Sequence, residues 1–152
     1  MRSVRKFVLD TNCYIDASRS ADALSALQEF VAWAAPGLHV SSVVAAELRA
    51  GARSASTRRT IENRLLGPFA RHERILAPSA AAWDALGRTL ASLREHEGLP
   101  LAQASRSFAF DVLLASSCRE SGAVLVSANA KDMARIRRVF AFDYVAPYPD
   151  AS

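Results

Sequence analysis

The chain has 152 residues, with 19 Lys and Arg against 15 Asp and Glu, and a formal net charge of +4. This length and a hydrophobic content of 51% exclude a disordered chain and predict one domain over residues 1–152 with a core of its own. We expect no membrane association, because no apolar run approaches the roughly 18 residues of a spanning helix and the apolar stretch near the N-terminus is too short for a secretory signal. Two cysteines are too few for a disulfide framework, so we expect a reduced, cytoplasmic protein.

Short β-rich runs alternate with helical patterns along the chain. In order, the pattern predicts a strand at 7–9, a helix at 22–35, a strand at 38–41, helices at 43–52 and 57–70, a strand at 74–77, helices at 79–97 and 108–120, and strands at 123–127 and 142–145. A loop is expected at Gly98-Leu99-Pro100. This alternation indicates an α/β fold with a mainly parallel sheet.

Four acidic residues occupy positions that are unusual for solvated carboxylates. Asp10 directly follows the first strand and Asp132 lies shortly after the clearest one, and chemistry in open α/β sheets collects beyond the carboxyl ends of strands. Glu47 and Asp111 each interrupt an apolar helical pattern, where an unpaired carboxylate is costly to bury. These four residues are therefore candidates for a functional site.

Each acid also has a structural interpretation. Asp10, Asp111 or Asp132 could cap or open a helix, since carboxylates are favoured at helix N-termini. Glu47 could instead form an ion pair with a nearby arginine such as Arg53.

Convergence of the four acids would concentrate negative charge. Carboxylates a few ångströms apart cannot all stay ionised without compensation. Ligand sets made only of oxygen suit Mg²⁺ or Mn²⁺, and such an ion usually acts on phosphates.

The acids lie within four short motifs. An apolar strand runs into Asp10-Thr11-Asn12, a helical Glu47 follows Ser41-Ser42, Asp111 opens the sequence Asp-Val-Leu-Leu-Ala, and the last motif is Ser127-Ala128-Asn129-Ala130-Lys131-Asp132-Met133. In this order and spacing the motifs resemble those of the PIN-domain nucleases, most closely the VapC-type toxin ribonucleases of toxin–antitoxin pairs. Two positions depart from the family pattern, because Ser127 and Met133 replace the usual Thr and Phe.

The resemblance implies a three-layer α/β/α fold with a five-stranded parallel sheet and a Mg²⁺- or Mn²⁺-dependent endoribonuclease activity. It also implies a homodimer that a small antitoxin neutralises. Asn12 and Ser127 would orient the metal ligands or water. The residues that the resemblance implies as metal ligands and catalytic groups are Asp10, Glu47, Asp111 and Asp132.

Arginines supply 17 of the 19 cationic side chains, and the guanidinium group can bind phosphate with two parallel hydrogen bonds. Arg49 and Arg53 follow Glu47, and Arg135 follows Asp132, so we expect these three to contact RNA phosphates. The alternatives are a solvated helix face or a contact with the antitoxin.

Two other functions stay open at the level of sequence. A PIN-like module could bind RNA without cutting it. A HAD-like phosphatase would use Asp10 as a nucleophile, but Asn12 stands where that chemistry needs a second Asp. Cys13 adjoins these residues, and we expect it to be a buried structural thiol and not a nucleophile.

Overall fold

Five short strands form one parallel sheet whose central strand is the first in the chain. The computed structural model describes residues 4–98 and 105–151. The order across the sheet is β3-β2-β1-β4-β5. The strands are β1 (Phe7–Leu9), β2 (Leu38–Ser41), β3 (Ile75–Leu76), β4 (Val124–Val126) and β5 (Tyr144–Val145).

Helices connect the strands and cover both faces of the sheet. A 3-10 turn, Ala35–Gly37, precedes β2, and a π-helical stretch, Ile61–Leu66, joins two short helices. The α-helices of the described residues are α1 (Thr11–Arg19), α2 (Ala21–Ala34), α3 (Ser42–Gly51), α4 (Ala55–Thr60), α5 (Gly67–Arg71), α6 (Ala80–Glu97), α7 (Arg106–Ser121) and α8 (Ala130–Arg137).

Alternate residues of the central strands build two separate apolar layers. Val8 and Leu125 are fully buried on the face that packs against α3, α6, α7 and α8. Phe7, Leu9 and Val124 are buried on the other face, against α1 and α2. Strands buried on both sides explain the continuous apolar runs in the sequence. The predicted three-layer α/β/α fold with a five-stranded parallel sheet is confirmed.

The order of the strands reverses at β1, since β2 and β3 lie on one side of it and β4 and β5 on the other. Leu9 of β1 is in register with Val126 of β4, so the residues that follow, Asp10 and Ser127, leave the sheet side by side. A reversal of strand order opens a crevice at the carboxyl ends of parallel strands. Asp10 therefore lies where this fold offers a site.

All five predicted strands are present, although β3 and β5 shorten to two residues each. The predicted helix at 57–70 is instead α4, the π-helical stretch and α5 in succession. The helix at 108–120 begins earlier, at Arg106, because Ser105 caps it by accepting from the Phe108 amide at 3.0 Å. Gly98 ends α6 in the left-handed conformation, while Leu99 and Pro100 lie outside the described residues.

Two further expectations concern the cysteines and the membrane. Cys13 and Cys118 are both buried and unpaired. Within 4–98 and 105–151, none of the helices combines the length and the apolar character that crossing a bilayer requires.

We predict that Gly37→Ala destabilises the fold by at least about 2 kcal/mol, as overpacking does. A Cβ atom at Gly37 would lie 1.9 Å from the carbonyl oxygen of Arg5, and backbone cannot rotate away as a side chain can. Chemical denaturation measures the loss.

Gly87→Ala is the matched control. Gly87 lies inside α6, and a Cβ there meets no atom of the described residues within 4 Å. This change should therefore raise the free energy of unfolding by roughly 0.5–1 kcal/mol. Equal stability of the two variants would contradict the close approach of Arg5 to the turn before β2.

Candidate active site

Asp10 is fixed at the end of β1 by three hydrogen bonds to its carboxylate. The Thr11 amide donates to Oδ1 at 2.8 Å, and the Ser127 hydroxyl and the Asn12 side-chain amide donate to Oδ2 at 2.7 and 3.1 Å. Asp10 is only 4% exposed. It does cap α1, as the structural interpretation expected, and it also joins the ends of β1 and β4. Asn12 and Ser127 therefore hold Asp10 in one orientation.

Glu47 reaches the same edge of the sheet from the middle of α3. Ser41 ends β2 and its hydroxyl accepts from the Val43 amide at 3.1 Å, which starts α3 directly after the strand. About one and a half turns into α3, the half-buried carboxylate of Glu47 accepts from the Thr11 hydroxyl at 2.9 Å. In the described part of the chain Glu47 forms no ion pair, and Arg49 binds Glu62. The alternative of an ion pair with a neighbouring arginine is therefore wrong for Glu47.

Asp111 and Asp132 share one hydrogen-bond donor. The side-chain amide of Asn129 donates to Asp111 Oδ2 at 3.2 Å and to Asp132 Oδ2 at 2.9 Å. Asp111 lies well inside α7, so it does not cap that helix. Asp132 is in the first turn of α8, but the Asn129 side chain makes no capping hydrogen bond to this helix.

A continuous chain of hydrogen bonds connects the two halves of the cluster. The Ser127 hydroxyl that donates to Asp10 also accepts from the Asn129 backbone amide at 3.1 Å. Asn129 in turn contacts Asp111 and Asp132. All four predicted acids thus converge at the carboxyl edge of the sheet, held by Thr11, Asn12, Ser127 and Asn129.

The environment of the site disfavours the ionised form of three of the four acids. Burial is the largest cause that raises the pKa values of Asp10, Glu47 and Asp111 above those of free carboxyls. The pKa of Asp111 rises to about 8, because burial is reinforced by the negative charges of Asp10, Asp132 and Glu47. The charges of the four acids are therefore close enough to repel one another.

The side chains are not arranged as a ready-made metal cage. Within the described ranges, no three His, Cys, Asp or Glu side chains come together closely enough to hold an ion. The neutral amide of Asn129 lies between Asp111 and Asp132 instead. The cluster is thus an all-oxygen donor set whose charge is only partly compensated.

Two of the three arginines expected to bind RNA are engaged with glutamates. Arg49 donates to Glu62 at 2.6 and 3.0 Å, and Arg135 donates to Glu97 at 2.9 Å. Arg53 is exposed just beyond the end of α3. The Arg49–Glu62 pair is exposed, and such pairs contribute little to stability, about 0–1 kcal/mol, whereas the Arg135–Glu97 pair is partly buried. Contact with RNA stays a prediction for all three arginines.

Sequence reasoning missed Thr11 and Asn129 as site residues, although both lie inside the quoted motifs. Their position in the sequence could have marked them. Thr11 directly follows Asp10, and Asn129 lies three residues before Asp132. Cys13 behaves as expected, since it is 2% exposed and burial raises the pKa of its thiol to about 12. A thiol with so high a pKa is not a ready nucleophile.

A family model of the PIN domain matches residues 7–139, and the chain belongs to this family. None of the curated protein sequences compared with the chain matches it. The likeness to PIN domains inferred from the four motifs is confirmed.

Solved structures share the fold over nearly the whole chain. DNA-bound VapBC from Salmonella typhimurium has a TM-score of 0.69 and 22% identity, and the match covers 95% of this chain and 99% of that one. FitAcB from Neisseria gonorrhoeae has a TM-score of 0.67 and 17% identity, with 93% and 97% covered. VapBC2 from Rickettsia felis, bound to a DNA fragment from its promoter, has a TM-score of 0.63 and 22% identity, with 92% and 97% covered.

We predict that Asp111→Asn raises the melting temperature of the metal-free protein. In the folded protein the pKa of Asp111 is about 8, against 3.8 for a free carboxyl, so ionisation of this group opposes folding. The loss in the free energy of unfolding that Asp111 causes is absent below about pH 4 and grows as pH rises toward about 8. The gain in melting temperature should therefore be larger at pH 7.5 than at pH 5 in EDTA.

Asp84→Asn removes the same charge from an exposed position of α6 and should shift stability by less than about 0.5 kcal/mol. If Asp111→Asn lowers the melting temperature at pH 7.5, ionisation of Asp111 does not oppose folding.

Proposed function

We propose that the chain is a metal-dependent endoribonuclease and the cytoplasmic toxin of a toxin–antitoxin pair. The observation that carries the proposal is the convergence of Asp10, Glu47, Asp111 and Asp132 at the crevice of the sheet. Carboxylates that repel one another in a partly buried cluster destabilise a protein, so their presence points to a function, and holding a divalent ion is the simplest one. Membership of the PIN domain family supports a nuclease activity.

The donor set fits Mg²⁺ or Mn²⁺ by its chemistry. Its ligand atoms are carboxylate oxygens. Burial, reinforced by the negative charges of the other three acids, raises the pKa of Asp111, and a bound cation would favour its ionised form. Side chains would have to move for an ion to be held, because within the described residues no three of these acids lie close enough together to hold it. The proposed metal ligands are Asp10, Glu47, Asp111 and Asp132.

The residues around the acids then have separate tasks. A bound divalent ion would supply positive charge to the scissile phosphate and lower the pKa of water. Ser127 and Asn12 keep Asp10 in place, and Thr11 holds Glu47 toward it. Asn129 keeps the other two carboxylates near each other despite their repulsion.

The proposed substrate is RNA, and the proposed partners are a small antitoxin and a second copy of the chain. Arg49, Arg53 and Arg135 would bind phosphates on either side of the acids. The structural neighbours VapBC and FitAcB support the toxin assignment through their fold. A PIN domain that binds RNA without cutting it is the second candidate, favoured by the absence of a preformed cage among the described residues.

We predict that purified protein cleaves single-stranded RNA in Mg²⁺ or Mn²⁺ and stops in EDTA. Asp10→Asn should abolish cleavage, because it removes a charge from the centre of the cluster. The one side-chain oxygen of asparagine can accept only part of the three hydrogen bonds that the carboxylate accepts. Gel analysis of labelled RNA measures cutting, and circular dichroism checks the fold.

Asp16→Asn, an exposed change later in α1, is the control and should cut like the wild type. Cleavage that survives Asp10→Asn would refute the site assignment. A wild type that binds RNA but cuts none in either metal would favour the binding-only candidate.

We predict that Ser127→Ala lowers the cleavage rate by about 10- to 100-fold, the usual cost of losing a group that orients a metal ligand. The change removes the 2.7 Å hydrogen bond to Asp10 and also the acceptor for the backbone amide of Asn129. Titration of Mg²⁺ should show a higher half-saturating concentration.

Ser127→Thr keeps the hydroxyl and is the matched control. It should restore most of the rate, since its hydroxyl can make the same two hydrogen bonds. If alanine and threonine at this position give the same rate as serine, Ser127 has no part in orienting Asp10.

A further inference from the structure

An open cleft of about 400 Å³ lies beside the acidic cluster, between α3 and the beginning of α7. Glu47 lines it, and Glu47 is tied through Thr11 to the end of β1. The cleft is thus continuous with the candidate active site. Its other lining residues are Ala46, Ala50, Arg106, Ser107 and Phe110.

Half of the residues that line the cleft are apolar. Ala46 and Ala50 are one helical turn apart on α3, and their small side chains leave a shallow wall. Phe110 is half-buried and packs against the core group of Val43, Ala82 and Leu113, so its ring is supported from below. A supported ring in an open cleft offers a surface on which another planar group can stack.

The cleft carries two charges of opposite sign, those of Arg106 and Glu47. Arg106 is exposed at the first turn of α7, whose 16-residue helix dipole adds positive potential there. Glu47 lies toward the acids. A planar group next to an anion matches this pattern, because it meets the aromatic ring and the guanidinium together.

A nucleotide of single-stranded RNA is such a ligand. Unpaired bases stack on aromatic side chains while arginine binds the adjoining phosphate. Volumes of roughly 300–1,000 Å³ are typical of small-ligand clefts, so this one suits a single nucleotide better than a protein helix.

We propose that this cleft binds one unpaired base of the RNA next to the bond that is cut, with the base on Phe110 and its phosphate on Arg106. The inference rests on the proposed function, because it takes the acidic cluster as the cutting site. Phe110 and Arg106 would then contribute to the choice of sequence without taking part in the chemical step.

The decisive variant is Phe110→Leu, which keeps apolar packing against Leu113 and removes the stacking surface. In the inactive Asp10→Asn background, fluorescence anisotropy with a labelled single-stranded RNA 12-mer should show binding weakened by about 5- to 100-fold. In the active protein the same change should raise KM by a similar factor and leave kcat nearly unchanged. Phe110→Tyr keeps the ring and should restore both binding and KM.

Arg106→Ala should weaken binding and reduce its dependence on salt, since it removes one phosphate contact. Arg19→Ala is the charge-matched control, because Arg19 is exposed at the end of α1 that points away from Asp10. The 3′ ends of the products, read by sequencing, should lose a base preference in Phe110→Leu.

The outcomes separate the two proposals. If Phe110→Leu changes neither RNA binding nor the product ends, the base-binding subsite is wrong, whether or not the wild type cuts RNA. A protein partner would then be the alternative occupant of the cleft. If the wild type cuts no RNA but Phe110→Leu still binds it more weakly than Phe110→Tyr, the proposed cleavage fails and the base-binding cleft stands.

Discussion

The repulsion among four carboxylates at one edge of the sheet is the constraint that the rest of the site answers. Register places Asp10 beside Ser127, since Leu9 pairs with Val126, and α3, α7 and α8 carry the other three acids to the same edge. The four acids cannot move apart without a change in that register or in the packing of these helices, which the two apolar layers fix. The cost of bringing them together must therefore be met locally. Locally, neutral hydrogen-bond donors stabilise the carboxylates.

Those donors are neutral side chains, and this choice has a chemical consequence. In the described residues the arginines that form ion pairs bind Glu62 and Glu97, and none pairs with an acid of the cluster. A guanidinium inside the cluster would neutralise it and would compete with a metal ion for the same oxygens. Amide and hydroxyl donors orient the carboxylates but leave their charge in place. The net charge of +4 thus conceals a separation between a basic surface and an acidic crevice.

Much of the fold and the choice of acids could be predicted from the sequence, because both depend on local patterns. Apolar runs buried on both faces predicted the strands, and a carboxylate inside an apolar stripe marked Glu47 and Asp111. The shared donor could not be predicted in this way. Asn129 follows a strand, which made a helix cap the natural interpretation, and only the approach of α7 to α8 turns its amide toward two carboxylates. The predicted helix at 57–70 also misled, since continuous helical spacing does not reveal the π-helical stretch.

Contacts between distant segments likewise decide what the surface arginines can do. Arg49 and Glu62 are thirteen residues apart, and Arg135 meets Glu97 from a different helix, so neither pairing has a signature in the sequence. The side chains of Arg135 and Glu97 are partly buried, whereas those of Arg49 and Glu62 are exposed, so glutamate orients Arg49 without burying it. Such a pairing holds the guanidinium near the surface, where an incoming phosphate can replace the carboxylate at little cost. Since Arg106 and Phe110 come from α7, the same helix that carries Asp111, the proposed base contact and the proposed metal ligand are held in a fixed relation by one rigid element.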